Sequence, residues 1–257
     1  MEYFCWFSKK IKQDVMKKKN VGIIGNGKWA KIMIPKIEKF ANIKFIANTK
    51  TGYKKFNLSK ISWIFVLTNN ATHYDIVKYF LNKKKNVFCE KPLTIHLKNT
   101  IKLFNFARRK KTSLYVNDVE FFKKKRYKIK DQNLILRKKK SQTSKDSLLH
   151  RFAYHDFYLL KKHINLEDLK VKKYQEQKKH LLIILLTDNK IFKFIYDINS
   201  KDKKHKINNV NMMLFKKDPI EKMIKYIFKN DNLDYRENIS NSFFAGKLIS
   251  IINNKYC

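Results

Sequence analysis

Val21-Gly22-Ile23-Ile24-Gly25-Asn26-Gly27-Lys28-Trp29-Ala30 is a short apolar run that breaks at a pair of glycines and leads straight into a helical pattern. The chain holds only five glycines, and three of them, Gly22, Gly25 and Gly27, stand in this stretch. The pattern reads as the strand, tight turn and helix start of a dinucleotide-binding βαβ unit. Gly25 would make the turn out of the strand, Gly27 would let the backbone approach a pyrophosphate, and Ala30 would fill the small position against the strand. The helix, over about residues 29–40, would aim its free N–H groups and the positive end of its dipole at the phosphates. Asn26, Lys28 and Trp29 belong to the same turn and are candidate cofactor contacts. A glycine turn in another α/β protein would show the same letters, so the sequence downstream decides.

Downstream, strand and helix alternate. Residues 43–47 (IKFIA) read as a second strand, and 61–67 (ISWIFVL) as a third whose near-continuous apolar run suits a strand covered on both faces. Thr72 opens a helix through Leu81 with apolar residues at Ile76, Val77, Phe80 and Leu81, and residues 86–89 (NVFC) form the next strand before Glu90-Lys91-Pro92. Repeated βαβ units are the mark of a doubly wound parallel sheet, which binds ligands beyond the carboxyl ends of its strands. Those ends carry Gly25, Asn48, Thr68 and Lys91.

Three segments in this order, the glycine turn, residues 67–73 (LTNNATH) and residues 87–93 (VFCEKPL), resemble the Gfo/Idh/MocA group of NAD(P)-dependent oxidoreductases of sugars and sugar derivatives. The resemblance spans nearly the whole chain from about residue 17. It implies that Thr68, Asn69, Asn70 and His73 line the nicotinamide side of the cofactor pocket together with Glu90 and Lys91, and that Lys91 is a catalytic lysine. Residues 114–117 (LYVN) look like the strand that leaves the cofactor domain, and His155-Asp156 looks like the start of the substrate-domain helix that carries a catalytic histidine. Chemically, a lysine at a strand end can hold a substrate oxygen as hydride leaves its carbon. His155 can then take or return the hydroxyl proton, as a group whose pKa lies near working pH. Asn117, Arg151 and Asp156 are the candidate substrate contacts.

The sequence departs from the family pattern in three places. Where the family places an aspartate one helical turn before the histidine, this chain has Arg151, which cannot accept a hydrogen bond from the imidazole and whose charge would lower the histidine pKa. Arg151 is instead suited to clamp a phosphate or a carboxylate, and Asp156 points about 100 degrees away on a helix. After the second strand, where a ribose-binding carboxylate is expected about 20 residues past the glycines, the chain reads Asn48-Thr49-Lys50. With Lys50 and Lys54 nearby, NADP is at least as plausible as NAD, while Asn48 can still bond a ribose hydroxyl. Last, only about a dozen residues, 49–60, separate the second and third strands, so a helix and a short strand are expected to be missing.

The second half reads as an α+β substrate domain with a mostly antiparallel sheet, which the resemblance makes both the roof of the active site and the subunit contact of a homo-oligomer. Strands are expected at 133–137, 171–174, 181–186, 191–196 and 205–210, a helix bearing His155 at 148–164, a helix from Asp218-Pro219 to Phe228, and a last helix at about 235–252 packing back on the cofactor domain. The expected division is a mis-assigned extension over 1–15, a Rossmann domain over 16–118 and the second domain over 119–257. The hinge is expected near 116–123.

With 59 Lys+Arg against 21 Asp+Glu the formal net charge is +38. A polyanion partner is one reading. The lysines are spread along every segment, however, and the Lys-Lys-Lys runs at 17–19, 83–85, 123–125 and 138–140 fall at element boundaries, as solvated loops would. No nucleic-acid-binding pattern accompanies them, so no specific nucleic acid is expected. Cys5, Cys89 and Cys257 have no paired spacing, which suggests neither a disulfide framework nor a metal site. No stretch approaches the roughly 18 apolar residues of a membrane span, and no export signal opens the chain, so a cytoplasmic location is expected. The leading expectation is an NAD(P)-dependent oxidoreductase acting on a hydroxyl carbon of a sugar, nucleotide-linked sugars included. The alternative is a catalytically weak or inactive dinucleotide-binding sensor or scaffold.

Overall fold

A computed structural model describes residues 18–48, 50–141, 147–230 and 235–256. Thr49 and the extension expected over residues 1–15 lie outside them. The first half forms β1 (Lys19–Ile24), α1 (Lys28–Glu38), β2 (Ala41–Ala47), β3 (Trp63–Val66), α2 (Asn70–Asn82), β4 (Asn86–Cys89), α3 (Leu97–Lys110) and β5 (Leu114–Val116). All neighbouring strands run parallel, in the order β2-β1-β3-β4-β5. Trp63, Ile64, Phe65 and Val66 have no exposed surface, as expected of a strand between two helical layers. One layer holds α1, and Met33 and Ile37 pack there with Phe65 and Phe88. The other holds α2 and α3, where Val77, Phe80 and Leu103 meet Ile64 and Val87.

The described residues of 48–62 contain no helix, and aromatic side chains take its place. Phe56 stacks on Phe45 of β2 with ring centroids 4.2 Å apart, and Tyr53 meets Tyr79 of α2 edge-on. Gly22 makes the room for this. A Cβ there would stand 2.2 Å from the Phe45 ring. The third glycine of the opening stretch therefore serves the missing helix rather than the turn. α3 was not among the expected elements; it buries Thr100, Leu103, Phe104 and Ala107 and ends in Arg108, Arg109 and Lys110, which suit its negative dipole end.

The second half forms β6 (Gln132–Lys138), α4 (Tyr154–Leu160), β7 (Lys170–Glu176), β8 (His180–Thr187), β9 (Lys190–Asp197), β10 (Lys204–Ile207), β11 (Val210–Asn211), α5 (Pro219–Lys229) and α6 (Arg236–Tyr256). The sheet runs β11-β10-β6-β9-β8-β7, antiparallel except for the β6 and β9 pair. Its inner face, with Leu181, Ile183, Phe192 and Phe194, packs on Phe157 of α4 and on Leu248 and Ile252 of α6. The helix expected over 148–164 is not continuous: residues Leu149–Ala153 make a π turn before α4 begins.

α6 also reaches the first sheet. Asn238 accepts from the Val116 amide (2.9 Å) and donates to the Val116 carbonyl (2.6 Å), completing the bonds of edge strand β5 in place of a further strand. Among the described residues, no helix is long and apolar enough to cross a membrane.

Candidate active site

The strand order reverses between β1 and β3, and the crevice outside their carboxyl ends is where a doubly wound sheet binds its ligand. Gly25 closes that crevice on one side. Its amide donates to Ala47 O (2.7 Å), its φ is +107°, and a Cβ would meet the Leu67 carbonyl oxygen at 2.6 Å, so only glycine fits. Gly27, the N-cap of α1, faces the other way: a Cβ there would have nothing within 4 Å. Exposed Asn26, Gly27 and Lys28 lead into a helix with no side-chain cap and no acid in its first turn. Across the crevice α2 also starts without a side-chain cap, at Asn69. Two open helix N-termini flanking a glycine-lined gap fit a dinucleotide pyrophosphate.

Around this crevice the expected cofactor residues divide into two groups. Asn48, Lys50, Thr68, Asn69 and Asn70 stand at the strand ends or helix starts; Thr72 donates to Thr68 Oγ1 (2.8 Å), holding the loop. Asn48 Oδ1 accepts from the amides of Lys50 (2.9 Å) and Thr51 (3.0 Å), so it shapes the turn after β2, and no carboxylate follows it there. His73, expected beside the nicotinamide, is corrected. It is fully buried between the carbonyls of Pro92 (2.9 Å) and Thr68 (3.2 Å) and ties the two loops together.

Glu90 lies at the end of β4, where its Oε1 accepts from the Trp29 indole and from Asn117 Nδ2 (2.6 Å). Burial pushes its carboxyl up from the ordinary value, against those two bonds and the Lys91 charge. Asn117 is corrected as well: with 1% exposure, and with Oδ1 accepting from the Val119 amide (2.9 Å), it supports Glu90 from inside rather than facing a substrate.

Lys91 is half-buried, and its ammonium donates to the backbone carbonyls of His150 and Arg151. The π turn thus brings main-chain oxygens to the lysine, a feature that sequence periodicity did not announce. Burial pushes the Lys91 pKa down to about 7, helped by the charges of Arg137, Lys139 and Arg151 and opposed by Glu90. His155, one residue into α4, is buried. Its Nδ1 pairs with the Tyr158 hydroxyl (3.0 Å), which leaves Nε2 as the ring nitrogen open to a reacting group. Its pKa lies well below the ordinary value through burial, then the Lys91 and Arg137 charges, so the imidazole is neutral. Arg151 was expected to supply that repulsion; Lys91 and Arg137 supply it instead.

Asp156 has no exposed surface. Arg137 donates to both its oxygens (2.9 and 3.0 Å), Tyr196 to Oδ2 (3.0 Å), and His205 Nε2 lies 2.9 Å from Oδ1. Its expected contact with substrate gives way to a buried ion pair that ties α4 to β6, β9 and β10. Glu120 joins from the 3-10 turn Val119–Lys123, 3.7 Å from Arg137 and 2.7 Å from Lys123.

Residues 35–118 match the family model described as an oxidoreductase family with an NAD-binding Rossmann fold, GFO_IDH_MocA. The fold is that of the Gfo/Idh/MocA oxidoreductases. The glycine turn lies just before the matched residues, so the match and the turn support the reading separately. Among solved structures with this fold, the 3-ketoreductase KijD10 of Actinomadura kijaniata in complex with NADP and TDP-benzene superposes with a TM-score of 0.79 at 12% identity, covering 93% of this chain and 98% of that one. The UDP-N-acetylglucosamine 3-dehydrogenase GnnA of Acidithiobacillus ferrooxidans superposes with a TM-score of 0.75 at 10% identity, covering 92% and 97%. No curated protein matches the sequence.

Proposed function

We propose that the chain is an NAD(P)-dependent oxidoreductase that moves a hydride between nicotinamide and a hydroxyl carbon of a sugar or sugar derivative. One observation carries the reading: the Lys91 ammonium, at the ligand-binding edge of the parallel sheet, donates to the His150 and Arg151 carbonyls of the turn that leads into α4 and His155, so residues from different halves of the chain meet there. Bound cofactor supplies the hydride acceptor or donor. Gly25, Gly27 and the start of α1 would hold its pyrophosphate, with Trp29, held by Glu90, in the first turn of that helix. Lys91 holds the reacting oxygen, and its pKa of about 7 lets it do so charged or neutral. Neutral His155 takes the hydroxyl proton at Nε2 on oxidation and returns it on reduction.

NADP is favoured over NAD, because the turn after β2 offers Asn48 and Lys50 and no carboxylate to repel a 2′-phosphate. The exposed Leu134 and Ile191 on the outer face of the second sheet suit a contact between copies of the chain, and the protein works in the cytoplasm. Arg151 favours a second reading, a dinucleotide sensor without turnover.

The test is a titration with NADH and NADPH followed by intrinsic fluorescence, then turnover on a panel of sugars and nucleotide-linked sugars. Saturable binding with turnover supports the enzyme. Binding with no turnover on any substrate selects the sensor, and no binding removes both.

A further inference from the structure

We propose that the substrate carries an anionic oxygen group, a carboxylate or a phosphate, close to its reacting carbon, and that Lys139 and Arg151 seat it. The inference deepens the oxidoreductase reading and rests on it.

The argument begins with where the cations converge. Lys139 follows β6 directly, and its amide donates to Asp197 O (3.0 Å) while that of Ser141 donates to Ile198 O (3.0 Å), so the segment is pinned along β9. Its ammonium stands 4.7 Å from the centroid of Phe152. The Arg151 guanidinium stands 5.2 Å from the same ring and donates to Ser141 Oγ (3.2 Å). Phe152 is only 6% exposed under this cover. It belongs to the π turn whose carbonyls hold Lys91. One five-residue turn therefore gathers a catalytic ammonium and two further cations.

Positive charge by itself means little in a chain of net charge +38. What distinguishes Lys139 is that it is half-buried and that, among the described residues, no carboxylate lies within ion-pair distance of it. Among the described residues, Asp156 is taken by Arg137 and His205, and Glu120 by Lys123 and Arg137. Burial, with Arg137, Arg151 and Lys203 around it, pushes Lys139 down to about 8. A bound anion would relieve that repulsion on Lys139 and Lys91 together. Arg151 offers a planar fork suited to two oxygens, and Lys139 a point charge beside it. The cluster adjoins Lys91, so the anionic group sits near the carbon that the lysine addresses.

Acetylation of Lys91 by a small neutral reagent tests the proposal, with each lysine followed by peptide mass mapping at about neutral pH and constant ionic strength. The probes are inorganic phosphate and glucuronate, with glucose as the neutral control. Raising the Lys91 pKa by one unit from about 7 cuts its neutral fraction at pH 7 from about a half to about a tenth, so an anion in the site slows its acetylation about fivefold. Exposed Lys98 should not change. Protection by phosphate alone or by glucuronate alone supports the site and names the source of the anion. Lys139→Gln and Arg151→Gln should each weaken protection, and Lys139→Arg should restore it. Absence of protection by either anion, or equal protection in the folded Lys139→Gln, Arg151→Gln double variant, overturns the proposal. NADPH titration on the same samples separates the two claims. Binding without protection removes the anion site alone, whereas protection without binding removes the oxidoreductase reading and leaves only an anion site.

Discussion

Replacing Asp156 with asparagine keeps the shape of the side chain and removes its charge, which distinguishes a structural carboxylate from one that meets substrate. Arg137 would lose its bidentate partner at 2.9 and 3.0 Å and keep only Glu120 at 3.7 Å, and one donor from the Arg137, Tyr196 and His205 set would face an amide N–H. Breaking a buried pair by removing one partner costs about 3–5 kcal/mol, against a total stability of about 5–15 kcal/mol. At about 2–4 °C per kcal/mol for a chain of this size, the melting temperature should fall by about 6–20 °C. The pH dependence has a definite sign. Burial opposes ionisation of Asp156, but Arg137 and the His205 contact outweigh it and hold the carboxyl far below the usual range. The stabilisation is therefore fully present above the unfolded value, about 3.9, and is lost as pH falls through the folded one. Urea unfolding of wild type and variant should show a large gap in midpoint near neutrality that narrows in acid. An unchanged unfolding midpoint, with a raised KM alone, would refute the reasoning and return Asp156 to the substrate.

The remaining predictions concern the cofactor crevice and the lysine. Lys91→Ala should lower turnover by about 10²–10⁴-fold while NADPH affinity, read by fluorescence, changes little; a parallel loss of affinity would make Lys91 a binding residue only. Gly27→Val should leave the unfolding midpoint near wild type, because its side chain enters open space, and should abolish NADPH binding. Gly22→Ala should do the reverse, costing about 1–3 kcal/mol through the 2.2 Å approach to Phe45, with Phe45→Leu restoring most of it in the same urea assay.

The fold was legible wherever a strand is buried on both faces or a helix shows one apolar stripe. Residues 61–67 and 87–89 gave away β3 and β4 through near-continuous apolar runs, and Asp218 capping Ile220 (2.8 Å) before Pro219–Lys229 is a local signal readable from the letters. α3 was missed although its letters carry it: Thr100, Leu103, Phe104 and Ala107 stand at the i, i+3, i+4 and i+7 positions of one apolar stripe. The π turn, by contrast, was invisible. It meets the Lys91 ammonium on one side and carries Phe152 under two cations on the other, tertiary contacts that no spacing rule within 149–153 encodes.

At the site, residue type was legible and side-chain direction was not. Asn117, His73 and Asp156 are polar residues next to reactive ones, and sequence adjacency cannot tell whether such a residue faces the cleft or braces it from behind. Burial decides: each has 1% exposure or less, and each has partners that are backbone groups or buried polar side chains. The same distinction bears on Arg151. A carboxylate at that position would have to orient His155, yet here the Tyr158 hydroxyl, fixed in turn by the Glu120 amide (3.2 Å), already engages Nδ1. With the histidine oriented from within its own helix, position 151 is released from that task. Under the proposal above, an arginine there, beside Lys139 and over Phe152, selects substrates by charge without disturbing the imidazole proposed to move the proton.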